Sequence, residues 1–222
     1  MSGSIIRRLV IKDLYLQWPL IVGAMLAGGV AIALLPRSET AYFVGWIALL
    51  VVLILLGVFT VVLSVIQERK DKVLLFVLSL PISTKQYVLA KLASNAAAFL
   101  GPWAILTATA LAVIAVTPMP DGHMPFLAII LLWAVCYYSL LLGVALVTDS
   151  AVWTTVVIVA CNIAPTFFIP ALYRLPSLDG SNPAATAHWG TEVLAVLGAE
   201  LALCVVAVGL GLFFHSRKRD FV

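Results

Sequence analysis

Charged residues are sparse in this chain: 13 Lys and Arg and 10 Asp and Glu make up 10% of 222 residues, while hydrophobic residues make up 64%. Too few polar side chains remain to cover a fold of this size in water, which excludes a soluble enzyme, a nucleic-acid binder and a disordered regulator. Cysteine is scarce as well. Cys136, Cys161 and Cys204 are isolated from one another in sequence, with no CxxC and no Cys/His ligand spacing, so a disulfide scaffold and a zinc or iron-sulfur centre have no basis and no metal site is expected. His123 and His188 fall in the two larger outer loops and His215 at the inner end of the last apolar run, where ordinary solvated roles suffice. HExxH, G-x-S-x-G and paired acids within the apolar runs are missing, which removes the usual signatures of an intramembrane enzyme.

What the chain has in abundance is long apolar runs, and its mean hydropathy is +1.15. A helix needs about 20 mainly apolar residues to cross the hydrocarbon core. Six stretches qualify, at 18–36, 42–66, 92–117, 126–147, 152–172 and 193–214. Runs such as Ile47 to Leu56 are apolar on every side, whereas the strands of a membrane barrel would alternate. The expected fold is therefore an all-α integral membrane protein, one six-span domain over residues 1–222 with no room for a soluble domain. With the N-terminus in the cytoplasm, eleven of the thirteen basic residues face inward and only Arg37 and Arg174 face outward, so the positive-inside rule predicts cytoplasmic termini. Trp18, Tyr42, Trp153, Tyr173 and Trp189 fall near the span ends, where amphipathic rings prefer to sit.

Arg7-Arg8 before an apolar stretch has the look of a signal peptide or a twin-arginine signal, but the run is long enough to span and five more follow. The N-terminal segment, residues 1–17, reads as an interfacial helix over 5–17 leading into the first span. Arg8, Lys12 and Tyr15 share one stripe, and Arg7 and Asp13 lie off it.

The most informative inner segment is 67–91, which reads as helix, break, helix. Pro81 cannot donate a backbone hydrogen bond and biases Leu80 away from helical geometry, so a helix arriving from Glu68 should stop near Ser79. Ser83 with Gln86 has capping-box spacing and Ile82 with Tyr87 that of a hydrophobic staple, which predicts a new helix from Thr84 running unbroken into the third span. A short helix with a charged root and an apolar stretch, Val73 to Leu78, suits two roles equally: an anchor in the headgroup layer, or an element that transmits a push.

These residues resemble a family. Glu68-Arg69-Lys70-Asp71-Lys72, Leu78-Ser79-Leu80-Pro81-Ile82-Ser83 and Tyr87-Val88-Leu89-Ala90-Lys91 look like the motif between the second and third spans of ABC type 2 permeases, the membrane subunits of bacterial ABC exporters. The chain is most similar to short members with an SLPxS...VLxK signature, although many relatives carry a glycine where this chain has Lys72 or a neighbour. The resemblance implies a coupling helix, with Glu68, Lys72, Leu78, Ser79, Leu80, Pro81, Ser83 and Lys91, that docks on a cytosolic ATP-binding subunit. It also implies two permeases, a second copy or a related chain, around one pathway in the lipid of a bacterial inner membrane, with ATP and Mg held by the partner. No Gly-Lys dipeptide occurs, hence no phosphate loop, and energy must come from a partner or an ion gradient. A haem-export-like permease is similar in length and span count. An ion-coupled secondary transporter would need acids or broken helices near the midplane of both halves, and only the second half offers them.

In that half, Pro165 and Pro170 are expected to interrupt the fifth span, and 173–192 to form either short outer helices or an ordinary loop after a kinked span. Glu200 is the one acid in the body of a span, about 10 Å beyond Val193 at the usual helical rise. Its cost there, at least ~2.5 kcal/mol near the bilayer centre if ionised, leaves three readings: a pathway residue, a structural hydrogen bond, or a site nearer the headgroups. Asn95 and Asn162 are further pathway candidates that a single interhelical hydrogen bond would also explain, and Ala24 and Gly28 are expected to permit close helix packing.

Overall fold

The computed structural model describes residues 2–66, 84–148, 151–178 and 186–217. Its helices are α1 (Ser2–Leu34), α2 (Glu39–Val61), α3 (Thr84–Val116), α4 (His123–Val147), α5 (Ala151–Leu172) and α6 (Thr191–Arg217). A π turn, Val62–Ile66, extends α2, a 3-10 turn, Pro176–Leu178, follows α5, and the described residues contain no strand. All six helices are long and apolar enough to cross a membrane, so the chain is a multi-pass membrane protein.

Local chemistry accounts for several boundaries. Ser38 caps α2, its hydroxyl accepting from the Ala41 amide at 3.2 Å, after a tight turn closed by Leu35 and Arg37 amides on the Ile32 and Leu34 carbonyls. The third helix is described from Thr84 onward, and the Ser83 and Ile82 capping positions expected to start it lie outside the described residues. Two expectations are corrected. Pro165 and Pro170 do not interrupt the fifth span, because α5 runs through both of them to Leu172. A proline removes one backbone bond, whereas a broken helix in lipid would strand several polar groups, so the helix persists. The N-terminal helix leads into the first span without a break, as one rod, α1, running through Pro19. At 33 residues it is about 50 Å long, well beyond the ~30 Å hydrocarbon core. Arg8, Lys12 and Tyr15 lie exposed along it, while Asp13 points the other way and is buried. His123 is not a loop residue either. It opens α4 and packs its ring, tilted by 35°, against Tyr42 with centroids 4.2 Å apart, and Tyr42 is buried in the bundle rather than set at a lipid surface.

Helix α4 is the centre of the bundle. In its most apolar stretch 72% of residues are buried, against 11% in α5 and in α6, which lie against it on the outside. Helix α3 is held to it by Trp103, whose indole N–H donates to the Leu131 carbonyl at 2.8 Å, and by Phe99 stacked on Tyr138 at 4.1 Å. Small residues set the closest approaches. Gly28 faces Leu106 across α1 and α3, Gly45 faces the Ala31 carbonyl across α1 and α2, and Gly143 meets Gly211 across α4 and α6. A Cβ on Gly143 would stand 2.7 Å from the Ala207 carbonyl oxygen, which is backbone and cannot swing aside. Gly143→Leu is therefore expected to cost about 1–3 kcal/mol and to part α4 from α6. A copper-phenanthroline test should show it: in membranes the oxidant should link Cys136 to Cys204, whose sulfurs lie 3.3 Å apart, and the variant should lose that link.

Candidate functional site

Of the residues expected to couple the chain to an ATP-binding subunit, Glu68, Lys72, Leu78, Ser79, Leu80, Pro81 and Ser83 lie outside the described residues. The two roots of their segment are described: the end of α2 through Ile66, and α3 from Thr84. Lys91 belongs to the second root, and its surroundings are unusual for a membrane helix.

The Lys91 side chain is buried, 9% exposed, and its ammonium donates to Asp13 Oδ2 of α1 at 2.7 Å. Ser94 Oγ lies 3.1 Å from the same oxygen and 3.0 Å from the Lys91 carbonyl, so its one proton serves one of the two at a time. Asn95 Nδ2 donates to the Lys91 carbonyl at 2.9 Å, and Asn95 Oδ1 lies 2.8 Å from the Ser64 hydroxyl, which also reaches the Thr60 carbonyl at 2.7 Å. Thr60 Oγ1 in turn donates to the Gly57 carbonyl at 2.9 Å. Asp13, Thr60, Ser64, Lys91, Ser94 and Asn95 are all buried. They form one polar node joining α1, α2 and α3 beside the roots of the 67–83 segment.

Helical spacing builds the node: Asp13 and Gln17 share one face of α1, Thr60 and Ser64 one face of α2, and Lys91, Ser94 and Asn95 one face of α3. Taking a charge out of water costs several kcal/mol, and here a close counter-charge and a hydroxyl compensate each other's desolvation. The π turn at Val62–Ile66 falls around Ser64, where a widened turn and a hydroxyl bonded to the carbonyl four residues back commonly occur together.

The three pathway candidates lie in three different places. Asn95 is fully buried in the node. Asn162 stays on the exposed face of α5, donating to the Ile158 carbonyl at 2.7 Å and to the Tyr137 hydroxyl at 3.1 Å. Glu200 is 5% exposed within the α4–α6 contact. Neither of its carboxylate oxygens has a hydrogen-bond partner among the described residues, while its own backbone carbonyl accepts from the Cys136 thiol at 3.2 Å. Cys136 and Cys204, far apart in sequence, meet beside it because α4 and α6 approach closely at Gly143 and Gly211.

Asp13, Ser94, Ser64 and Thr60 were not readable as site residues. The available hint was Asp13 itself, an acid off the polar stripe of α1. Its partner lies 78 residues away, and nothing local names it.

No curated protein and no solved structure matches the chain. A family model for the ABC-2 family transporter proteins matches residues 8–216, from the first turns of α1 to the end of α6 and across the whole node. The chain is thus a membrane component of the ABC-2 transporter family, to which it belongs.

Proposed function

We propose that the chain is the permease subunit of an ATP-binding cassette exporter in a bacterial inner membrane. In this reading it moves a hydrophobic or amphipathic substrate with ATP hydrolysed, with Mg, by a separate cytosolic subunit. The observation that carries this reading is the family match over nearly the whole chain, in a sequence that has no phosphate loop of its own. Two copies, or this chain and a related one, surround the pathway. The segment 67–91 is the contact with the ATP-binding subunit, with Glu68, Lys72, Leu78, Ser79, Leu80, Pro81, Ser83 and Lys91 as its functional residues.

Support for that assignment comes from both ends of the segment. Its basic residues obey the positive-inside rule on the cytoplasmic side, and its roots on α2 and α3 are tied together by the Ser64 and Asn95 hydrogen bond. A stiff hairpin root carries a displacement into the membrane, whereas a slack one would dissipate it.

Two measurements test the reading. Single cysteines at Lys85 and at both chain ends should resist an impermeant reagent in intact cells, while cysteines at Arg37, His123 and Asp179 should react; labelling at residue 85 would overturn the topology. In purified form, the permease should retain a P-loop ATPase and lose export on vanadate treatment. Export that survives vanadate and stops with an ionophore would assign the chain to ion-coupled transport.

A further inference from the structure

Two buried charges are a costly way to hold apolar helices together, because well-packed apolar side chains of similar volume commonly hold them as well or better. What an ion pair adds is a single allowed register. Helices α1 and α3 run parallel. Fifteen residues separate Asp13 from Gly28 and fifteen separate Lys91 from Leu106, so the contact keeps one register over about 22 Å. Its upper rung is Gly28 against the Leu106 methyls, a close apolar contact held by dispersion alone. Its lower rung is a carboxylate 2.7 Å from an ammonium, with Ser94 on the same oxygen, and that contact does not slide. Lys91 stands seven residues from Thr84, about 10 Å along α3 from the described end of the 67–83 segment.

We infer that Asp13 and Lys91 are a positioning pair that makes α1 move with α3, so that a displacement carried into the bundle by α3 reaches α1 as well. The inference rests on the permease reading above. Without the pair, α3 would still be driven through its own root, and only apolar packing would carry that movement to α1. Gln17, buried one turn from Asp13 on the same face, extends the polar part of the interface toward the membrane.

The test needs no knowledge of the substrate. Spin labels are placed on exposed positions in a background without native cysteines, Tyr15 with Val205 to follow α1 against α6, and Ile105 with Val205 to follow α3 against α6. Distances are measured in the complex with its ATP-binding subunit, before and after trapping with ATP and vanadate. In the otherwise wild-type complex both distances should shift. In Asp13→Asn, and in Asp13→Leu with Lys91→Met, the α1 distance should lose at least half of its shift while the α3 distance keeps its own.

The double variant removes both charges together, which spares the interior a lone ion and guards against simple misfolding of the single variant. The inference fails if α1 shifts fully in the variants, if both shifts vanish together, if α1 never shifts in the wild type, or if neither variant inserts, since the pair is then only a brace of the fold. A wild-type permease that retains no ATP-binding subunit would instead overturn the permease reading itself.

Discussion

Leu80→Asp should abolish co-purification of the ATP-binding subunit and export with it, while all six helices still insert. Leu80 lies between the apolar stretch Val73 to Leu78 and Pro81, in the segment proposed to dock, and outside the six long apolar runs of the sequence. A carboxylate forced into an apolar groove has no counter-charge. Burying an unpaired charge costs about 3–5 kcal/mol, which corresponds to roughly two to four orders of magnitude in dissociation constant. Leu78→Asp should behave alike, and Leu80→Ile should bind nearly as the wild type does, because it keeps the apolar volume. The measurements are pull-down of the tagged permease and ATP-driven export by inverted vesicles. Normal association and export in both Asp variants would make the segment a headgroup anchor.

The second large effect concerns Glu200. Glu200→Leu is expected to raise stability and lower export, a combination that a purely structural residue cannot produce. Both carboxylate oxygens are buried without a hydrogen-bond partner among the described residues, and leaving such groups unsatisfied costs about 1–3 kcal/mol. Leucine removes that cost at similar volume and completes an apolar contact beside Cys136 and Cys204. For a chain of this length, a gain of this size moves a thermal midpoint by a few degrees, on the order of 2–4 °C per kcal/mol. Glu200→Gln keeps shape and an unsatisfied polar group, so its midpoint should stay near the wild type, and its export rate tells whether charge or hydrogen bonding is needed. A lower midpoint for the Leu variant would show that the carboxyl holds α4 to α6. Wild-type export in both variants would remove Glu200 from the transport cycle.

Much of the architecture was legible in residue order because partition between water and lipid is a local property. Six apolar runs of spanning length, counted along the chain, correspond to the six helices, with ends moved by a few residues except in α1, whose helix starts well before residue 18. The prolines of α5 were misleading. Their local preference is to break a helix, and the lipid around α5 penalises a break more than the strain.

The residues alone determined that this chain is a six-span helical membrane protein, and the SLP segment pointed to its kind. Only the tertiary structure decided which polar residues meet. Asp13 faces Lys91, Ser64 faces Asn95, and Cys136 lies against Cys204 because each helix is rotated about its axis to bury one face on particular neighbours. That rotation is set by side chains from several helices packing at once, with glycines at 28, 45 and 143 fixing the closest approaches. No stretch of sequence holds that information by itself, since the partner of each buried polar group is chosen by the packing of the whole bundle.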